Sequence, residues 1–235
     1  MDWGLTKRQI ILLVILLLAG LCLRLYHLER WFPDFFEEAT PVLKARNFWG
    51  TENSGFDFNP HFFNYPALSF YLHFAFQALV GVAALILGKI GSLADFRHLL
   101  QNEIAWFVLG GRLLTVLFDL GTILAVFQLG KRLSGPSSGL LAAFFLSFNA
   151  LHIRYSQYIL VDVPLAFLVV VALLFILNVR QRGSTGDYAW AGLLIGLATS
   201  TKYTAALLAA PLLVATWPLL RIVDLTTFPF RGVDS

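Results

Sequence analysis

An acidic segment near residue 37 is the first place in the sequence where side chains could do chemistry. Asp34, Glu37 and Glu38 lie close together in a long polar stretch that is rich in aromatic residues. Asp34 and Glu37 have the spacing of a helix N-cap and its capping-box partner, so these acids could serve only to begin a helix. A carboxylate that faces a cleft could instead act as a general base. Thr40-Pro41 could equally begin a second helix.

A second polar segment runs from His152 to Asp162 and includes Arg154. Asp162 stands directly before Val163-Pro164, which is typical of a helix N-cap followed by proline in the first turn. An acidic residue at the end of a membrane helix is also a functional candidate. Both interpretations of Asp162 remain open on the sequence alone.

Three cations, Arg24, Arg112 and Lys202, lie in or beside apolar segments. Arg24 and Lys202 are near predicted helix ends, from which their side chains could extend to the membrane surface. Arg112 and Asp119 are seven residues apart and share one helix face, so an internal salt bridge is one explanation. We favour the other, in which the three cations bind an anionic lipid phosphate.

The elements that must position these residues are membrane helices. The 235-residue chain is 58% hydrophobic and 13% charged, with a mean hydropathy of +0.73, whereas soluble domains carry about 25% charged residues. We predict an all-α integral membrane protein, a polytopic helical bundle forming a single module over residues 1–235. The lone Cys22 and the scattered histidines favour neither a disulfide framework nor a metal site, so we expect no metal and no cofactor. No basic tract suggests nucleic-acid binding.

Basic clusters predict the topology. Lys7/Arg8, Lys131/Arg132 and Arg180/Arg182 should all be cytoplasmic, which requires an even number of crossings between the first two clusters. Three apolar blocks lie there, so we predict that 66–90 rests on the outer surface and that 29–103 forms one large extracytoplasmic loop with amphipathic helices. About six spanning helices remain, within 9–28, 104–129, 137–153, 163–179, 188–200 and 203–220.

This topology places three regions on the outer face. They are the large loop, the segment 152–162 and the turn at Thr201-Lys202, which are also the regions that hold the unusual polar residues. We therefore expect a plasma-membrane protein whose site is extracytoplasmic and in contact with membrane lipids.

A series of short motifs follows this order along nearly the whole chain: Arg24-Leu25-Tyr26, the acidic pair before Ala39, Ala45-Arg46-Asn47, Asn59 to Leu68, Gly111-Arg112-Leu113, Leu129 to Leu133, Ser156 to Pro164 and Gly196 to Tyr203. Together they resemble the membrane-embedded C-type (GT-C) glycosyltransferases. More narrowly, they resemble the glycosyltransferase 39-like group of protein O-mannosyltransferases and aminoarabinose transferases. Such relatives usually continue for several more spans, so we expect this chain to be an N-terminal part.

The resemblance implies transfer of a sugar from a polyprenyl-phosphate donor to a protein, lipid or glycan acceptor on the extracytoplasmic side. The family's acidic pair supplies the base and matches Glu37-Glu38, with Glu37 the first choice and Glu replacing the usual Asp. The positions of Arg24, Arg112 and Lys202 would bind the donor phosphate. Those of Asp162, Arg154 and His61 would line the cleft. The alternative is a non-catalytic polytopic protein, such as a carrier or an assembly subunit.

Overall fold

The structure, a computed structural model, describes residues 4–29, 38–51, 53–64 and 66–220, with side chains as far as Trp217. All the regular elements within these ranges are helices, as the sequence predicted. A short 3₁₀ helix, Tyr203–Leu208, accompanies ten α-helices in these ranges: α1 Lys7–Leu25, α2 Thr40–Asn47, α3 Leu68–Ile86, α4 Leu93–Asn102, α5 Ile104–Ser134, α6 Pro136–Ser147, α7 Ala150–Ser156, α8 Asp162–Arg182, α9 Thr185–Thr199 and α10 Ala209–Leu220.

Local sequence signals fix most helix ends. Thr6 and Gln9 form a capping box that begins α1. Gly135, at φ 90°, ends α5, and the next residue, Pro136, begins α6. Gly183 ends α8 in the left-handed region, where glycine carries no steric penalty.

Helix α5 is the central element and packs against α1, α6 and α8. Its contact with α6 depends on two glycines. A Cβ at Gly139 would lie 2.5 Å from the carbonyl oxygen of Phe127, and one at Gly130 would lie 3.0 Å from Gly139 Cα. Small residues at such a crossing let two membrane helices approach backbone to backbone. The α5–α6 hairpin is therefore held by close packing.

The length of α5 sets the depth of its charged residues. Its 31 residues span about 46 Å, more than the ~30 Å hydrocarbon core of a bilayer. Nineteen residues separate Arg112 from Lys131, a rise of about 28 Å. With Lys131 at one membrane surface, Arg112 lies at the other, and Asp119 lies about 10 Å deeper.

Four described helices are long and apolar enough to cross a membrane, namely α1, α3, α5 and α8. The pair α6–α7, bent by 64°, makes a fifth if it is one span. This set differs from the six predicted spans. Helix α9 has 15 residues, about 22 Å, and 203–217 is also a shorter apolar helical segment. Helix α3, by contrast, is long and apolar enough to cross a membrane, although we predicted a surface position for it.

Helices α2, α3 and α4 form a layer that shares one core with the first turns of α5. Its buried residues include Val42, Trp49, Phe96 and Leu100. Helix α3 packs mainly on α2 and meets α5 where Phe76 and His73 approach Gly110 and Gly111. The surface position of 66–90 and the bounds of the 29–103 loop stay predictions.

Candidate active site

Glu38 and Arg112 form a buried ion pair between the segment before α2 and the first turns of α5. Arg112 Nε donates to both carboxylate oxygens at 3.2 and 3.3 Å, and Nη2 donates to Oε1. The backbone N–H of Ile159 donates to Oε2 at 3.1 Å. Only 8% of Glu38 and 1% of Arg112 is exposed. The pair thus joins the first loop, α5 and the segment before α8 at one point.

Asp119 pairs with Arg24 and not with Arg112. Both side chains are fully buried. Arg24 Nη1 donates to the carbonyl oxygens of Gly20 and Ser147, and Nη2 donates to that of Leu146. His152 Nδ1 contacts the second oxygen of the carboxylate. Two expectations are corrected by these contacts. The Arg112–Asp119 salt bridge does not form, because each residue meets a partner on another segment, and Arg24 points into the bundle instead of extending to the surface.

A pocket of about 500 Å³ lies between the end of α1 and α7. Arg112 and Arg154 line it, together with Tyr158 and His27. The Arg112 guanidinium lies 5.4 Å from the centre of the Tyr158 ring, and Arg154 is exposed. The pocket has the size of a small-molecule site, and its basic side chains suit an anion.

Gln157 fixes the wall of this pocket. Its side-chain amide donates to the carbonyl oxygens of Leu23, Arg24 and Tyr26, at 3.3, 3.3 and 2.8 Å. The last carbonyls of a helix have no partner within the helix, so this amide caps α1. It also ties α1 to the residues that follow α7.

Lys202 and Asp162 form a half-exposed ion pair of 2.8 Å, apart from the pocket lining. Val161, not Asp162, is the N-cap of α8, and Asp162 lies in the first turn. Close by in the chain, the backbone N–H of Leu68 donates to the carbonyl oxygen of Ser200 at 2.9 Å. The turn at 200–202 is therefore joined to both the first loop and α8.

His61 lies on the exposed loop that follows α2. Its imidazole donates to Asp57 at 2.9 Å, and the structure places it neither in the pocket nor beside Arg112. The imidazole and, after it, the backbone N–H of Asn59 hold the pKa of Asp57 below its ordinary value of 3.8.

Glu37 and Asp34, and with them the predicted capping box, lie outside the described residues. Helix α2 begins at Thr40 with Pro41 in its first turn, as the alternative start predicted. Glu38, the described member of the acidic segment, lies at the same end of the bundle as the pocket because it pairs with Arg112.

The three regions predicted to share one face therefore meet at one end of the bundle. The contacts Glu38–Ile159, Leu68–Ser200 and Lys202–Asp162 join them. We call this the loop end. The opposite end holds the basic clusters, where Arg132 donates to the side-chain oxygen of Asn178 at 2.7 Å.

Residues 108–223, about half of the chain, match the family described as dolichyl-phosphate-mannose-protein mannosyltransferase. The chain is a GT-C glycosyltransferase-like protein. Neither a search of the curated proteins nor a search of the solved structures found a significant match.

The matched region of this GT-C glycosyltransferase-like protein contains Arg112, Arg154, Asp162 and Lys202, whereas Arg24, Glu37, Glu38 and His61 precede it. With the apolar helices, the match makes the chain an integral membrane protein with the family's glycosyltransferase character.

Sequence reasoning missed Gln157, Tyr158 and His27 as residues of the pocket. The signal available for Gln157 was weak, because an uncharged amide in a loop carries no periodic pattern. His27 adopts φ 56°, a backbone conformation that is uncommon for residues other than glycine. No sequence motif near His27 predicted this conformation.

Proposed function

We propose that this protein transfers a sugar, with mannose favoured by the family description, from a polyprenyl-phosphate donor to an acceptor at the extracytoplasmic surface. The observation that carries the proposal is the basic pocket between α1 and α7, which lies at the same end of the bundle as Glu38, the residue after Glu37 in the sequence. Arg154 would contact the donor phosphate directly. Arg112, paired with Glu38, would form part of the wall.

The reaction needs one base and a stabilised leaving group. Glu37 would take the proton of an acceptor hydroxyl as its oxygen attacks the anomeric carbon of the sugar. The bond from that carbon to the phosphate oxygen would break, and the lipid phosphate would leave with the electron pair. Because a phosphate leaves readily, positive charge from Arg154 would suffice to stabilise it. The acceptor gains the sugar and Glu37 holds the proton until solvent removes it.

Glu38 has a different role in this proposal. Both of its carboxylate oxygens already accept hydrogen bonds, from Arg112 and from the Ile159 N–H. These charge-assisted hydrogen bonds occupy the lone pairs that a base must use. We therefore assign Glu38 to anchoring the acidic segment and keep Glu37 as the base.

All three predicted phosphate-binding cations have carboxylate partners in the structure. Arg24 is enclosed by Asp119 and three carbonyl oxygens, so we assign it to helix packing. Lys202 pairs with Asp162 in the first turn of α8, where we propose that the two residues hold the turn after α9 in place beside the cleft. Arg112 alone of the three lines the pocket.

The depth of α5 supports the proposed location of the site. If Lys131 lies at the cytoplasmic surface, as basic residues favour, Arg112 lies at the extracytoplasmic one. On a Cys22→Ala background, single cysteines at Thr51 and at Gln181 test the sidedness with an impermeant thiol reagent. We expect labelling at position 51 and protection at position 181 in intact cells. The reverse pattern would contradict the topology.

The donor-binding role is tested with Arg154→Gln and, as a matched control at the opposite end of the bundle, Arg180→Gln. A charge-assisted hydrogen bond to phosphate contributes roughly 1.5–3 kcal/mol, so Arg154→Gln should weaken binding of polyprenyl-phosphate mannose by about 10- to 100-fold. Arg180→Gln should leave affinity unchanged. Equal affinities for both variants and the wild type would refute the pocket as the donor site.

A further inference from the structure

His27 holds a strained backbone conformation at the end of α1. Its φ is 56°, and among the described residues other than glycine only His61 also has a positive φ. Tyr26 is the C-cap of α1, so His27 is the first residue beyond the helix. That position commonly adopts the left-handed conformation and is usually glycine, because a Cβ there crowds the backbone. A histidine therefore occupies a position that favours glycine.

Contacts from two other segments impose this conformation. The carbonyl oxygen of Tyr26 accepts from the Gln157 amide at 2.8 Å, and that of Leu28 accepts from Arg112 Nη1 at 2.6 Å. The Leu28 side chain is also buried. The chain is thus held on both sides of His27, and a sparsely populated conformation persists only where the surrounding structure imposes it in this way.

The imidazole of His27 is available to a ligand. His27 lines the same pocket as Arg154, and its side chain is 46% exposed. Its ring packs edge-on against the Tyr26 ring, with the two ring centres 4.3 Å apart. The Glu29 carboxylate lies 3.7 Å from Nδ1, beyond the length of a hydrogen bond. Nε2 has no hydrogen-bond partner among the residues that the structure describes.

We propose that His27 binds the phosphate of the polyprenyl-phosphate donor through an imidazole N–H, together with Arg154. An imidazole donates through either nitrogen, and a hydrogen bond to a charged phosphate is of the strong kind. Glycine would fit the backbone at position 27 better, but it would remove this donor. Backbone strain is retained here, as at other ligand sites, because it presents a side chain to the ligand.

The inference rests on the proposed function for the identity of the ligand, whereas the strain is a property of the chain itself. Three substitutions separate the side chain from the strain. His27→Gly removes both. His27→Ala removes the imidazole and keeps the strain, and His27→Asn keeps a side-chain N–H at a residue type that tolerates the left-handed conformation. The folding equilibrium constant of His27→Gly should exceed that of His27→Ala by about fivefold, since a Cβ disfavours this conformation.

The binding test uses polyprenyl phosphate without a sugar, and polyprenol as a matched probe without a phosphate. Radiolabelled probes are titrated onto the purified wild type and the three variants in one detergent. We expect His27→Gly and His27→Ala to bind polyprenyl phosphate about tenfold more weakly than the wild type, the change for one lost hydrogen bond to a charged group. His27→Asn should bind with an intermediate affinity, and polyprenol should bind all four proteins equally.

The outcomes separate this inference from the proposed function. A His27→Gly protein that binds polyprenyl phosphate as tightly as the wild type overturns the inference alone, and so does an equal loss of polyprenol binding. Equal stability of His27→Gly and His27→Ala would remove the strain on which the inference depends. A wild type that binds polyprenyl phosphate no better than polyprenol would overturn the proposed function, and the inference with it.

Discussion

Replacing Glu38 with glutamine separates an anchoring role from a catalytic one. The substitution keeps the size of the side chain and removes its charge. One of the two oxygens becomes an NH₂ group, so either the Ile159 N–H or an Arg112 N–H then faces a second donor. Arg112 would remain charged, almost fully buried and without its carboxylate partner.

The cost can be estimated from the contacts. Breaking a buried ion pair by removing one partner typically costs about 3–5 kcal/mol. Arg112 retains the carbonyl oxygen of Leu28, at 2.6 Å, and the Tyr158 ring. We therefore expect the lower part of that range, about 3 kcal/mol. In the double variant Glu38→Gln/Arg112→Gln, two neutral amides face each other. Its loss of unfolding free energy should therefore be about 2 kcal/mol smaller than the sum of the losses in Glu38→Gln and Arg112→Gln.

The assay is reversible denaturant unfolding in one detergent, followed by turnover per folded molecule. Glu38→Gln should unfold more readily yet keep much of its turnover per folded molecule. Glu37→Gln should keep wild-type stability and lose about 10²-fold or more in turnover. A Glu38→Gln protein as stable as the wild type would refute the anchoring argument. If Glu38→Gln abolishes turnover while Glu37→Gln retains it, the base is Glu38.

Three further predictions concern other polar contacts. Asp119→Asn should lower the free energy of unfolding by about 3 kcal/mol, because Arg24 stays buried with only carbonyl partners; an effect below about 0.5 kcal/mol in the same unfolding assay would contradict this. Gln157→Ala should lower the free energy of unfolding by about 1–2 kcal/mol, because the carbonyls at the end of α1 lose their hydrogen-bond donor. It should also weaken binding of the sugar donor, and an unchanged donor affinity would exclude a positioning role for Gln157. In an NMR titration, the Asp57 carboxyl should have a pKa below its ordinary value, and His61→Ala should raise it. Because folding lowers the pKa of Asp57, the contact with His61 stabilises the folded state at a pH above the pKa of the unfolded chain, and this stabilisation is lost as the pH falls through the pKa of the folded state. An Asp57 pKa that does not change in His61→Ala would contradict the proposed cause of the shift.

The helical class and the gathering of polar residues at one end could be predicted from the sequence, because hydropathy and short basic clusters are local signals. The charge pairs could not. Arg112 and Asp119 share a helix face, so the seven-residue spacing suggested a salt bridge. Their actual partners lie 74 and 95 residues away, a separation at which periodicity carries no information.

The number of membrane-spanning helices could not be predicted from the apolar composition of the sequence either. The block at 188–200 is apolar, but α9 begins at Thr185, after its N-cap Ser184, and ends at Thr199, where a tight turn leads to Lys202. Its length then falls short of a bilayer. For 66–90, the sequence showed interruptions such as Gly88 and Lys89, which lie just beyond the end of a continuous 19-residue α3.

The Arg24–Asp119 pair bears on the order in which helices insert and pack during synthesis. The ribosome makes Arg24 95 residues before its partner, a delay of roughly 5–20 s at ordinary rates of synthesis. During that interval α1 carries an unmatched charge, and Arg24, close to the helix end, can extend to the lipid headgroups. The arrival of α5 brings an aspartate that by itself costs about 3 kcal/mol to insert at the centre of a span. Each charge alone makes membrane insertion less favourable. The ion pair between them instead favours packing of α1 against the newly inserted α5–α6 hairpin.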